Sequence, residues 1–133
     1  MKASRCFSAT LQLMSDTMTA ADMAKVLGDI DGVKLSEKGQ KISDRSDSRT
    51  MEVSIWELKS KLSEDSDLPD QVSSLLAVIE SKASQFESLL RECDAEIWCF
   101  VTFDGSQCGF VLDQALIKKL SSLSISLVFD IYS

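Results

Sequence analysis

The chain is poor in the side chains that most often perform catalysis. It contains no histidine, which excludes a nucleophile activated by imidazole, such as a Ser–His or Cys–His pair. General acid–base chemistry would instead need two carboxylates that converge in a cleft. The acids best suited to this are Glu52, Glu96 and Asp130, which the strand pattern predicts on one face of a sheet. We therefore assign no catalytic residue, and an enzyme is the least favoured of three functional hypotheses.

Residues that bind metals are also arranged unfavourably. A zinc site without histidine would need thiolates and carboxylates alone, and the four cysteines form no C-x-x-C pair. Carboxylate ligands suit Mg²⁺ or Ca²⁺, but no D-x-D-x-D-G spacing is present. No metal and no cofactor are therefore predicted. We interpret the cysteines as small buried residues in a reducing compartment, with Cys108, beside a predicted turn, the most accessible.

One segment concentrates basic residues in an otherwise acidic chain. Residues 29–49 are rich in serine and charged side chains and contain two glycines. The cations of this segment are Lys34, Lys38, Lys41, Arg45 and Arg49. It is either a loop that binds an anion or an acidic partner, or a solvated excursion whose charges are partly matched by nearby acids. Neither G-x-x-x-x-G-K-[ST] nor G-x-G-x-x-G accompanies the lysines, which favours the solvated excursion.

A set of aromatic residues is predicted on the sheet face that points away from the helices. The members of this face are Trp56, Trp98, Phe100, Asp130 and Tyr132. Aromatic side chains among polar groups are enriched at interaction surfaces. Three uses stay open: residues 29–49 or 59–67 fold over and bury the rings, a second copy or another protein binds them, or a small molecule does. If Trp56 and Tyr132 enclose Asp130, its charge must be paired or its pKa raised.

Length and charge narrow the classes of protein. A chain of 133 residues is normally one domain, so residues 1–133 are predicted to fold as a unit. A net charge of −7 argues against nucleic acid, because binding to phosphates normally needs a basic stripe. No apolar run approaches the roughly 20 residues of a membrane helix. The apolar N-terminal residues alternate with Ser8, Thr10 and Gln12, unlike a secretory signal. A cytoplasmic protein that contacts neither nucleic acid nor membrane is expected.

The apolar periodicity predicts strands alternating with helices. Strands are predicted at residues 5–14, 50–58, 95–103, 109–112 and 125–132, and helices at residues 20–27, at residues 68–92 and after Asp113. The expected class is α+β, with a single mixed or antiparallel sheet of about five strands and three helices mainly on one face. The element order predicts a ferredoxin-like βαββαβ arrangement preceded by an extra β-α unit, with the first strand at an edge.

Four features of this chain resemble one bacterial family. They are Leu27-Gly28 after a short helix, Lys38-Gly39 in the loop, Trp56 in a strand, and the Phe-Asp-Ile-Tyr ending at residues 129–132. Together with the element order they resemble the domain-of-unknown-function family 4279. The family often has a proline and an aromatic residue before the Lys-Gly pair, and this chain has neither. The resemblance implies a small bacterial cytoplasmic domain with no catalytic residues to assign, of a kind suspected to include antitoxin-like immunity proteins.

Three hypotheses follow, in decreasing order of support. The first is a non-catalytic module that binds a protein, or forms a homodimer, through the aromatic sheet face; an acidic domain would suit a basic partner such as a toxin. The second is a regulatory domain that binds a small molecule or an anion between residues 29–49 and the sheet, with Lys34, Lys38 and Lys41 as ligands. The third is an enzyme of unknown reaction.

Overall fold

A five-stranded mixed sheet organises the chain, with strand order β2-β3-β1-β4-β5. The structure is a computed structural model that describes residues 5–45, 49–105 and 107–132. Strands β2, β3, β1 and β4 are antiparallel neighbours, and β5 runs parallel to β4. The elements are β1 (Arg5–Ser15), α1 (Ala20–Leu27), β2 (Val33–Ser36), β3 (Ser54–Lys59), α2 (Leu68–Ser81), α3 (Ala83–Leu89), β4 (Asp94–Phe103), α4 (Gln114–Ser122) and β5 (Ser126–Tyr132).

The predicted α+β class and the single mixed sheet of five strands are confirmed. The helices bury their apolar sides on one face of the sheet, which we call the closed face. On β1 this face carries Phe7, Ala9, Leu11 and Leu13, all fully buried, while the residues between them are partly exposed. Strict alternation of apolar and polar residues produces this split, because successive strand side chains point to opposite faces.

The first strand lies in the centre of the sheet, so its predicted place at an edge is wrong. β1 pairs with β4 along Arg5 to Met14 and with β3 along Thr10 to Ser15. A strand whose apolar side chains are all buried needs helices above it and neighbours on both sides. The centre of the sheet supplies both.

The predicted strand at residues 109–112 is absent. β5 pairs parallel with β4 from Glu96↔Ser126 onward, and so occupies the edge that a returning hairpin strand would have used. Phe110 packs instead between Phe7 and Phe129, with ring centroids 6.0 and 5.7 Å away. The ferredoxin-like order, which required this strand, is therefore not confirmed.

The predicted helix at 68–92 is two helices, so the described chain has four helices where three were expected. Asp67 caps α2 by accepting a hydrogen bond from Leu68 N, and Pro69 lies in the first turn. The helix breaks at Lys82, whose φ and ψ of −130° and 39° are not helical. Beyond the break α3 places Phe86 against the core, so the apolar stripe continues in a second direction.

Part of the predicted loop 29–49 is ordered β structure. β2 pairs with β3 from Val33↔Leu58 to Ser36↔Ile55. Further backbone hydrogen bonds, from Gly39 N to Met51 O and from Ile42 N to Arg49 O, both 2.9 Å, extend this pairing. We call residues 37–45 and 49–53 the arm.

Glu37 fixes the base of the arm. Its carboxylate accepts hydrogen bonds from the backbone N–H groups of Ala20 (2.6 Å) and Ala21 (3.1 Å), in the first turn of α1. These bonds, the one from Ala20 first, lower the pKa of Glu37. An acid is favoured there because the first N–H groups of a helix have no partner within the helix.

Gln71 on α2 completes the sheet where β3 stops pairing with β1. Its side chain is 1% exposed; Oε1 accepts from Ala9 N (3.1 Å) and Nε2 donates to Phe7 O (2.7 Å). Phe7 N donates to Glu64 O and Ser60 N to Ala9 O, so the segment after β3 also bonds to β1. A buried amide thus replaces ladder bonds that a longer β3 would have made.

Across the part of the chain that the structure describes, no helix has the length and apolar character needed to cross a membrane.

Candidate binding face of the sheet

The face opposite the helices, which we call the open face, brings four of the predicted site residues together. Trp98 and Phe100 alternate with buried residues on β4, and Asp130 and Tyr132 alternate with apolar residues on β5. The strand register aligns Phe100 with Asp130 and Trp98 with Val128, and aligned neighbours share a face. The binding role of these residues stays a prediction, but their common surface is now defined.

Direct contacts link these residues in pairs. The rings of Trp98 and Phe100 are stacked, with centroids 6.2 Å apart and an interplanar angle of 26°. The Tyr132 hydroxyl donates to Asp130 Oδ2 at 2.9 Å. This bond to a carboxylate raises the pKa of Tyr132 and keeps the phenol protonated. The pairs present two flat rings and a hydroxyl–carboxylate group side by side.

The indole of Trp98 exposes its ring more than its polar atom. The side chain is half-buried, and Nε1 is enclosed without a hydrogen-bond partner among the described residues. A ligand on this face would therefore meet the π surface of the ring, while the N–H group is out of reach. Stacking, apolar contact and cation–π contact are the interactions that such a ring supplies.

Trp56 belongs to the closed face, so its prediction as an open-face residue is wrong. It is fully buried and meets Phe86 edge-on, with ring centroids 6.1 Å apart. Its register partner on β1 is Leu13, which is also fully buried. The predicted faces were inverted because Met51 and Val53 were counted as strand residues, whereas β3 begins at Ser54.

Two further expectations depended on the predicted face of Trp56 and are also wrong. Asp130 is not enclosed by Trp56 and Tyr132, because Trp56 lies on the other side of the sheet. Glu52 precedes β3 and is exposed, so it does not join Glu96 and Asp130 on a strand face. The three acids considered for acid–base chemistry therefore do not converge as predicted.

The three predicted anion-binding lysines point to different places. Lys38 Nζ donates to the backbone oxygen of Asp16 at 3.2 Å. Lys41 is exposed in the arm, where its backbone forms an isolated antiparallel β-bridge with Thr50. Only Lys34 reaches the sheet, with Nζ 3.9 Å from a carboxylate oxygen of Glu57. The lysines do not form one cluster.

Lys34 nevertheless lines a cavity of about 400 Å³ on the open face. The other lining residues come from β1, β3, β4 and the turn before β2: Thr10, Gln12, Gly32, Glu57, Lys59 and Phe100. Across the floor of this cavity, Gln12 Nε2 donates a hydrogen bond to Glu57 Oε2 at 3.1 Å. The second cation, Lys59, was not predicted as a site residue, because the predicted strand ended one residue earlier.

Charge divides the open face into two halves. β4 and β5 contain no lysine or arginine, and their open-face acids include Glu96 and Asp130. β2 and β3 instead contribute Lys34 and Lys59. We call Glu96, Trp98, Phe100, Asp130 and Tyr132 the acidic–aromatic half, and the residues around the cavity the lysine half.

Three of the four thiols have a raised pKa. Burial raises the pKa of Cys99 to about 12 and also raises that of Cys93. Cys6 Sγ donates to Glu64 Oε2 at 3.2 Å, and this bond raises the pKa of Cys6. Reactive cysteines need a lowered pKa, so these three are not candidate nucleophiles. Among the described residues, no three His, Cys, Asp or Glu side chains are grouped to hold a metal ion.

A second cleft, of about 500 Å³, lies on the helix side and was not predicted from the sequence. Its walls are mainly apolar, with Phe86, Leu90 and Ile125 among the lining residues and Arg91 also contributing. The turn after α4 closes one side through Ser124, which adopts a left-handed φ of 56°. The helix break at Lys82 helps to create the cleft, and periodicity alone did not reveal that break.

Comparison with known proteins identifies one family. Residues 4–133 match the family described as Domain of unknown function (DUF4279), which agrees with the resemblance seen in the sequence. Neither the curated proteins nor the solved structures contain a match.

Proposed function

We propose that this chain, which belongs to the DUF4279 family, is a non-catalytic module that binds a basic protein through the acidic–aromatic half. The observation that carries the proposal is the stacked pair Trp98–Phe100, flanked by Glu96 and Asp130 on two strands without a single basic residue. Aromatic anchors surrounded by one sign of charge are typical of surfaces that select a partner by shape and by charge.

The shape of this half favours a protein over a small molecule. The cavity of the open face involves Phe100 but lies toward Lys34 and Lys59, so Trp98, Asp130 and Tyr132 form a surface beyond it. An extended face of this kind suits another protein, whose basic side chains can contact the rings and carboxylates together. The net charge of −7 would accelerate encounter with such a partner at low ionic strength.

A bacterial, cytoplasmic, immunity- or antitoxin-like role is consistent with this chemistry. Proteins of that kind inactivate a toxin by covering it and need no catalytic residues of their own. Three features together support the role: the family resemblance, the acidic chain and the aromatic surface on the side of the sheet opposite the helices.

Affinity capture with matched variants tests the proposal. The bait proteins are the wild type, Trp98→Ala, Glu96→Lys and the control Val111→Ala, whose side chain is 72% exposed outside the sheet. The wild type and the control are expected to retain the same basic protein, in an amount that falls with salt. Trp98→Ala and Glu96→Lys are expected to lose it while keeping the wild-type circular dichroism spectrum. Equal recovery of the basic protein by all four folded baits would contradict the proposal.

The cavity of the lysine half supports a second candidate function, the binding of a small aromatic or carboxylate anion. Lys34 and Lys59 border it, and Phe100 supplies an aromatic wall. A thermal-shift screen with phosphates, nucleotides and carboxylates should raise the melting temperature of the wild type and of Lys41→Gln, which removes a lysine outside the cavity. The rise should disappear in Lys34→Gln. An unchanged melting temperature with millimolar anions of every class would exclude this candidate.

A further inference from the structure

The two edges of the sheet are built differently. β2, at one edge, has four residues and carries Lys34, whose side chain is 74% exposed. β5, at the other edge, has seven residues and contains no proline, lysine or arginine. Its pairing with β4 is one-to-one over the whole strand, with no bulge. Short length, charged side chains, proline and bulges are the usual means of preventing an edge from pairing with another chain, and β5 has only one of them, the single carboxylate of Asp130.

The side chains of β5 are also unusually apolar for an edge. Phe129 is 40% exposed and Ile131 56% exposed on the closed-face side, and Tyr132 is 56% exposed on the open face. Leu127 precedes them on the closed-face side and is partly buried. The backbone groups along the outer side of β5 have no neighbouring strand among the described residues. An edge of this kind can pair with an added strand.

We propose that two copies of this chain associate through antiparallel pairing of their β5 strands, with Phe129 at the twofold axis. The two sheets would join into one, and the open faces of both copies would lie on the same side. The acidic–aromatic halves would then adjoin, because β5 is the outer strand of that half. This inference does not depend on the proposed protein partner, since it uses the edge of the sheet and not its face.

The sequence of β5 is complementary to itself in this register. Phe129 faces Phe129 of the second copy, and Leu127 faces Ile131, so the closed-face side of the joint is entirely apolar. Aromatic and branched apolar pairs of this kind stabilise neighbouring antiparallel strands. A second copy therefore supplies the strand that this edge requires.

Charge disfavours one of the neighbouring registers. Moving the axis by one residue, to Asp130, would place two carboxylates directly opposite each other, which is unfavourable. With the axis at Phe129, Asp130 faces Val128 and Tyr132 faces Ser126. Asp130 is the only charged residue of β5, so local repulsion is small. The net charge of −7 on each copy still opposes association over long range, and added salt should strengthen the dimer.

Sedimentation equilibrium from micromolar to near-millimolar concentration tests the proposal. The wild type should change reversibly from the 14.7 kDa mass of one chain to twice that mass, at lower concentration in higher salt. Ile131→Lys should weaken the dimer by at least about 10-fold. Ile117→Lys is the matched control, because Ile117 is 52% exposed but lies on α4, and it should associate like the wild type.

Two results would overturn the proposal: the mass of one chain at every concentration, or equal association of wild type and a folded Ile131→Lys. Melting temperatures identify a variant that fails to fold, and the register has an independent test. In a background with Cys6→Ser and Cys108→Ser, Phe129→Cys should form a disulfide-linked dimer under mild oxidation, because antiparallel partners lie within disulfide reach. Ile117→Cys should not. Equal cross-linking by both would contradict pairing through β5.

Failure of this proposal can be distinguished from failure of the proposed function. Trp98→Ala alters the open face of β4 and should leave the dimer intact. Ile131→Lys alters the closed-face side of β5 and should leave a single chain able to capture the basic protein. The two activities therefore respond to different variants.

Discussion

The two tryptophans of this chain lie on neighbouring parts of one sheet but on opposite faces. Trp56 is fully enclosed between the strands and α3, with Phe86 against its edge. Trp98 is half-buried on the open face, where Phe100 stacks on it. The closed face therefore uses its aromatic residue to hold the helices, whereas the open face leaves part of a large ring in contact with solvent.

This difference shows which residues are available for function. A buried ring contributes to stability through its packing, and its removal leaves a cavity. A ring on a bare sheet face contributes less to stability, and its exposed area remains available to a partner. Matched pairs of residues, one on each face, can test this separation directly.

The largest contrast is expected between the two tryptophans. Trp56→Ala should lower the free energy of unfolding by about 3–5 kcal/mol, because it leaves a large cavity in the core. Trp98→Ala should lower it by about 1–2 kcal/mol, in proportion to its smaller burial. Urea denaturation followed by circular dichroism measures both. Similar losses for the two variants would mean that the open face is a second core.

Two hydrogen-bonded glutamines, Gln71 and Gln12, form the next pair. Gln71→Ala should lower the free energy of unfolding by about 2–3 kcal/mol, because Ala9 N and Phe7 O lose their buried partner. Gln12→Ala removes an open-face bond to Glu57 and should cost below about 0.5 kcal/mol. Chemical denaturation of both variants decides the point. A larger cost for Gln12→Ala would reverse the assignment of the faces.

Two thiols, one on each face, allow the comparison to be tested by their reactivity. Cys99 lies on the closed face, where burial raises its pKa to about 12. Cys6 lies on the open-face side of β1, partly exposed and hydrogen-bonded to Glu64. Iodoacetamide should therefore modify Cys6 of the native protein slowly and Cys99 only after unfolding, as mass spectrometry of peptides would show. Glu64→Gln should make Cys6 more reactive, since the carboxylate raises the thiol pKa. Modification of Cys99 before Cys6 would contradict this picture.

The smallest effect concerns Glu37 at the base of the arm, which belongs to neither face. Its pKa is lowered by folding, so its contribution is present above the unfolded value of 4.5 and is lost as the pH falls through the folded value. Glu37→Gln should cost about 0.5–1 kcal/mol at neutral pH and nothing in strong acid. Thermal unfolding of both proteins between pH 2 and pH 7 measures this difference. A cost that is independent of pH would exclude the carboxylate as its source.

The sequence alone was sufficient to predict elements that depend on a single local pattern. The alternation of apolar and polar residues in β1 predicted that strand correctly, because this pattern depends on residues close in the chain. The faces of β4 and β5 also followed from alternation, which placed Trp98 and Asp130 correctly.

Other features depended on contacts that a single sequence does not reveal. The face of Trp56 required the start of β3, which its pairing with β1 determines. The position of β1 inside the sheet depended on its pairing with both β3 and β4, and the strand expected at residues 109–112 lost its edge to β5. Gln71 gave no signal, because a buried glutamine on a helix resembles a surface one until its partners are known.

The most direct test of the account is the affinity of the captured basic protein for three purified forms of this chain. Isothermal titration should show at least about 10-fold weaker binding by Trp98→Ala than by the wild type, and unchanged binding by Val111→Ala. The affinity should also fall as the salt concentration rises, since the charges of Glu96 and Asp130 attract the partner. Equal dissociation constants for the wild type and a folded Trp98→Ala would show that the partner does not bind the acidic–aromatic half.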